Sequence, residues 1–184
     1  MTANGRWAAL GIVVALLAAC HDTTVSPNET ATIARDTTAL FQTDSLAYTL
    51  IHRDGAYSTN VNVTLTNRSG AAIYISNCHG ATGIYLQKQT PSGWQIVRSP
   101  VLPACLGPPI IIVVGDAQRF DINLVGGEPG SNLAPQYTTT DLDGEYRLLW
   151  DGAFASYDDK TGTGAPMAEA SRVSNRFLVR VKSQ

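Results

Sequence analysis

Three cysteines (Cys20, Cys78, Cys105) and three histidines (His21, His52, His79) are the residues of this 184-residue chain best suited to ligation, attack or cross-linking. They do not assemble into a metal motif, because a zinc site needs about four ligands at workable spacings, and Cys78-His79 sits beside only one more cysteine while His21 and His52 are scattered. Asp141-Leu142-Asp143-Gly144 begins like a calcium loop, but it lacks the third oxygen position and the distal glutamate, so it reads as an exposed acidic turn. Asp158-Asp159 reads the same way, with a weak acidic site shared with Asp151 as the alternative. No serine stands in a Gly-x-Ser-x-Gly setting, and so few histidines leave a Ser–His–Asp triad little to draw on. Carboxylate pairs for glycoside hydrolysis have a purely spatial spacing, and no pair is singled out here. The expectation is a protein that is not an enzyme and carries no cofactor and no metal.

Cys20 has a different context. Met1 to Arg6 is short and polar, and Trp7 to Ala19 follows as thirteen residues without a charge. A helix needs about 20 apolar residues to span a bilayer, so this run fits a secretory signal instead. Its close, Leu17-Ala18-Ala19-Cys20, resembles the lipobox of bacterial lipoproteins. In that family the signal is removed just before the cysteine, whose thiol receives a diacylglycerol, and a further acyl chain of the palmitate type commonly caps the new amine. The resemblance implies a signal peptide over 1–19, lipidation at Cys20, and a partner that is the membrane itself. His21 at the second mature position, where some bacteria read aspartate as an inner-membrane signal, leans towards the outer membrane. Asp22 blurs that reading.

From His21 to Asp44 the chain carries seven threonines and no sustained period. It reads as a flexible tether over 20–44 with a reach of roughly 27 Å. The alternative is that Thr38 to Phe41 already pairs as an edge strand.

The remainder, 45–184, reads as strands. Val61, Val63 and Leu65 alternate with polar neighbours, as do Phe120, Ile122 and Leu124, and Phe177, Val179 and Val181. Period two puts one set on the core face of an antiparallel sheet and the other in solvent. Less regular runs lie at Leu46–His52, Ala72–Asn77, Gly83–Gln89, Trp94–Arg98, Ile110–Val114 and Glu145–Asp151, separated by breakers such as Asp54-Gly55 and Pro91-Ser92-Gly93. Nine short strands and no long amphipathic helix predict an all-β, two-layer sandwich.

The order of landmarks sharpens this. Asn67-Arg68-Ser69 ends a strand, Gly93-Trp94 opens one, and Gly115-Asp116 precedes an alternating run. Gly144-Glu145-Tyr146-Arg147 and a closing Phe177-Leu178-Val179 follow. This resembles the immunoglobulin-like antiparallel β-sandwich domains of bacterial lipoproteins and, more distantly, the intracellular proteinase inhibitor family. Gly144-x-Tyr146 looks like the tyrosine corner of such folds, in which the hydroxyl fixes upstream backbone. Tyr146, Trp94 and Trp150 are read as structural.

With Cys20 lipidated, Cys78 and Cys105 remain, and an even remainder in an exported domain suggests a disulfide. Its local spacing does not match the antibody-type bridge. It would staple the proline-rich strap Ser99–Pro109 to the turn at Asn77–Gly80, two free thiols or a metal site being the alternatives. Two further long loops, Val125–Asp143 and Tyr157–Ser171, are expected to be functional or disordered, and the glycine-rich second one favours disorder.

Composition closes off other classes. Only 15% of residues are charged and the net charge is −2, which gives no concentrated basic face for nucleic acid. A hydrophobic share of 44% supports a packed core. The expected function is a lipid-anchored, non-catalytic binding or structural module of the bacterial cell envelope with a possible protein partner. The alternative is an envelope proteinase inhibitor presenting the disulfide-pinned loop 99–109.

Overall fold

Residues 33–103 and 107–183 are described by a computed structural model. Cys20, the signal region and Cys105 lie outside them, and all the elements below belong to the unit Thr32–Gln184. The fold is all-β, a sandwich of three sheets around one apolar core. The first sheet has β1 (Phe41–Thr43), β4 (Asn60–Thr66) and β9 (Ala117–Asn123) in that order. The second runs β10 (Gly126–Gly127), β3 (Ala56–Ser58), β2 (Ala47–Arg53), β14 (Phe177–Ser183), β11 (Gly144–Trp150), β6 (Ile84–Thr90), β7 (Gly93–Arg98). The third runs β13 (Thr163–Pro166), β12 (Ala153–Asp158), β5 (Ile73–Ile75), β8 (Ile110–Ile112).

Alternation decides which faces turn inward. Val61, Val63, Leu65, Phe177, Val179 and Leu124 are buried almost completely, Phe120 and Ile122 nearly so, and Val181 partly. Their polar neighbours Asn60, Thr64, Arg119, Asp121, Asn123 and Arg180 are exposed. The hairpin β2–β3 turns on Asp54 and Gly55, both at positive φ (52° and 72°). That pair of conformations matches the twist of the strands it joins, and Asp-Gly adopts it readily.

Several expectations need correction. The tether does not extend to Asp44: Phe41 is fully buried and stacks on Trp150 at 4.0 Å between centroids, and the Thr43 amide donates to Asn175 Oδ1 at 2.6 Å. A three-residue strand is too short to display a period, so β1 is invisible to periodicity. The sandwich is not wholly antiparallel, because β14 pairs parallel with β2 from Leu178↔Ala47 to Ser183↔His52. Parallel neighbours need a long connection, and these strands come from opposite ends of the domain, so the rest of the chain supplies it. The loop Tyr157–Ser171 is ordered. It holds the end of β12, all of β13 and a 3-10 turn at Glu169–Ser171. Gly164 lets the β12 backbone approach, since a Cβ there would collide with Ser156 O. Val125–Asp143 is packed too, with Tyr137 and Leu142 buried and the Tyr137 hydroxyl donating to Leu124 O at 2.9 Å.

Four tyrosines turn inward, with a consequence for alkaline stability. Burial, followed by the hydrogen bond to Asp44, pushes the Tyr48 phenol up to about 12, and burial also raises Tyr57, Tyr137 and Tyr146 above the usual 10. A phenol whose folded pKa exceeds its unfolded one contributes stability fully below the unfolded value and loses it as pH rises through the folded one. Stability in urea is therefore expected to begin falling above about pH 10 as these groups become linked to unfolding. Spectrophotometric titration should show their phenolates appearing only with loss of the fold. Complete ionisation of all seven tyrosines in protein that is still folded would contradict this.

Candidate functional site

The sandwich has an open flank where β9 forms one edge of its sheet and the strap after β7 passes close by. Between them lies a groove of about 400 Å³ lined by Phe120, Ile122, Ile84, Ile110, Leu102 and Arg98, among others. A second cavity of about 440 Å³ lies on the other side of Leu102, against Cys78, Phe154 and Arg172. The strap residues Val101 and Leu102 are 67% and 36% exposed. Beyond the strap, β8 is the outer strand of its sheet, and Ile111, Val113 and Val114 there are all half-exposed or more.

The backbone of β9 is paired on one side. Val61↔Ile122 and Val63↔Phe120 face each other across the ladder, and the Leu124 amide continues it by donating to Thr59 O at 2.9 Å. By alternation, the amides and carbonyls of Arg119, Asp121 and Asn123 point away from β4. Among the described residues they find only side chains: Gln118 Nε2 donates to Arg119 O at 2.8 Å, and Arg98 Nη2 reaches Asn123 O at 3.5 Å.

Arg98 ends β7 and is only 7% exposed. Its Nε donates to Val125 O at 2.9 Å, yet it forms no ion pair with any described carboxylate. Burial lowers its pKa, and Tyr137 acts in the opposite sense. A guanidinium keeps its proton in such a place, so the flank holds a buried positive charge. No sequence signal separates Arg98 from the surface arginines, because it follows a half-exposed run in an edge strand.

The residues singled out by sequence fall elsewhere. The Tyr146 hydroxyl donates to Leu142 O at 2.7 Å, the geometry of a tyrosine corner. Gly144 precedes it at φ 142°, where a Cβ would meet Lys88 Cε at 3.1 Å. Lys88 in turn holds Asp141 through its carbonyl at 2.6 Å and its carboxylate at 2.9 Å. Trp94 is half-buried beneath Arg147, whose guanidinium carbon lies 4.6 Å from the ring centroid. Arg147 also pairs with Glu169 at 2.8 Å. Cys78 is fully buried and has a partner.

The groups that could have done chemistry are dispersed. His52 pairs with Glu128 at 2.9 Å and stacks on Tyr57, while His79 is exposed at a turn with φ 55°. Asp151 faces Arg172 at 3.6 Å, and Asp158 accepts the Lys160 amide. No group of three or more histidines, cysteines and carboxylates among the described residues could hold a metal ion.

No family model and no curated protein matches the chain. Among solved structures it is similar to an alkylpurine DNA glycosylase of Pseudomonas fluorescens bound to DNA containing an abasic-site analogue. That match has 11% identity and a TM-score of 0.31, and covers 77% of this chain but only 31% of the glycosylase. The ASH / PapD-like domain of human CEP192 is similar at 12% identity and a TM-score of 0.25, covering 86% of this chain and 96% of that one. Both likenesses are too weak to assign a fold family or a function.

Proposed function

We propose that this protein is a lipid-anchored, non-catalytic immunoglobulin-like module of a bacterial cell envelope that binds a protein partner through its strap flank. The observation that carries the binding role is the placement of exposed apolar side chains. Among the described residues, five of the eight large exposed hydrophobics (Val101, Leu102, Ile111, Val113 and Val114) fall within one short stretch of chain. Scattered apolar residues are ordinary on a soluble surface, whereas a concentration of them marks an interaction site. The anchor rests on Leu17-Ala18-Ala19-Cys20 after a short apolar run. No helix among the described residues is long and apolar enough to cross a membrane.

A photo-crosslinking amino acid at Val101, in the full chain expressed in cells, should give a discrete adduct with an envelope protein. The same probe at Asn60, on the exposed face of β4, should not. Equal yields at both positions, or none at Val101, would remove the binding role. A second reading is favoured by the exposure of Val101, which would suit a loop entering a proteinase cleft. An adduct with a proteinase whose activity the protein blocks would select it.

A disulfide between Cys78 and Cys105 belongs to the same proposal. It would close a loop of about 28 residues and contribute roughly 3–4 kcal/mol on the chain-entropy account. Restricting the strap beforehand lowers the entropy lost when a partner binds it. Alkylation of unreduced, exported protein is expected to leave both cysteines unlabelled, and reductant should expose both. Two thiols labelled without reductant would show the bridge to be absent.

A further inference from the structure

We infer that the groove along β9 takes an extended peptide segment that pairs with the outward backbone of Arg119–Asn123 and presents a carboxylate to Arg98. This deepens the proposed binding role and rests on it. Two independent features meet in the groove. The first is an edge strand. The outward amide and carbonyl of Asp121 have no protein partner among the described residues, and the neighbouring carbonyls are met only by side chains. Such a row is a template for an added strand, which would lie about 4.8 Å away. Phe120 and Ile122 of β9 and Ile84 and Leu102 opposite would receive its alternate apolar side chains.

The second feature is the charge. Arg98 lines the same groove, more than nine-tenths buried, with no carboxylate against it among the described residues. Its Nε and Nη2 hold the carbonyls of Val125 and Asn123, at the C-terminal end of the edge. A strand added beside Arg119 and Asp121 therefore runs up against a guanidinium. Buried charges are ordinarily paired, and arginine is suited to planar, two-pronged recognition of a carboxylate. The acid that lines the groove, Asp121, is exposed and paired with Arg119 at 3.4 Å, so it leaves Arg98 uncompensated. An acidic side chain or a terminal carboxylate completes the site, and the backbone edge makes it part of a peptide.

A random heptapeptide library panned on the full-length protein tests this. The enriched peptides should alternate apolar residues and share an acidic residue or a required free C-terminus. Replacing that acid by its amide is expected to weaken binding by about tenfold or more. Arg98→Met should erase the preference for acid over amide. Asp121→Pro should abolish binding altogether, since proline removes an outward amide that the β4 ladder does not use. Circular dichroism of each variant checks that the fold persists. If Arg98→Met unfolds the protein, Asp121→Pro and the acid-to-amide comparison on the parent still decide. No enrichment, or enriched peptides indifferent to both the acid and Asp121→Pro, would overturn the inference. Membrane anchoring and the Val101 adduct do not depend on this result, so failure here leaves the broader binding role to its own test.

Discussion

Trp150→Ala is expected to lower the free energy of unfolding by about 3–5 kcal/mol, a large share of the 5–15 usual for one domain. The indole is fully buried, stacks on Phe41 at 4.0 Å, and lies 6.0 Å from Phe120 between centroids. It therefore joins β11 of one sheet to β1 and β9 of another, and removing it leaves a large cavity between them. Trp150→Phe should cost less. It keeps an aromatic partner for Phe41 and removes an indole N–H that has no hydrogen-bond acceptor among the described residues. Asn123→Ala, on the exposed side of β9, should stay within about 0.5 kcal/mol of the parent. Urea unfolding of the three variants reads this directly. A Trp150→Ala protein as stable as Asn123→Ala would mean that the stack does not hold the sheets together.

The same cluster shows how far the sequence reaches. Strands of six or seven residues with one buried face, such as β4, β9 and β14, announce themselves because alternation has room to repeat. Tyr146 was legible for another reason: a glycine two residues before a tyrosine, after an acidic turn, is a local pattern with a local hydrogen bond. Phe41 was legible only as the end of an alternative edge strand over 38–41, since one buried aromatic in a three-residue strand looks like any residue of a threonine-rich linker. The β12–β13 hairpin hid behind Thr161-Gly162-Thr163-Gly164, where the glycines serve close backbone approach as well as flexibility. The parallel pairing of β2 with β14 is a property of topology, and no local pattern encodes it. Arg98 is the clearest case at the candidate site. Its burial and missing counter-charge come from what the strap, β9 and Val125 place around it, and β9 and Val125 lie far from it in sequence.

Acylation is the second large effect, and it is all or nothing. Two or more acyl chains give stable membrane attachment, each buried methylene adding about 0.8 kcal/mol, whereas a single chain holds only weakly. With Cys20 modified, the sandwich would be held at a bilayer surface by its lipid. No helix among the described residues is long and apolar enough to cross a membrane in its place. Labelling bacteria that express the full chain with a clickable fatty acid, followed by membrane fractionation, compares the parent with Cys20→Ala. The parent is expected to carry label and sediment with membranes, and Cys20→Ala to carry none and become soluble. Equal label in both proteins, or no label and no membrane association in the parent, would contradict a lipid-anchored module.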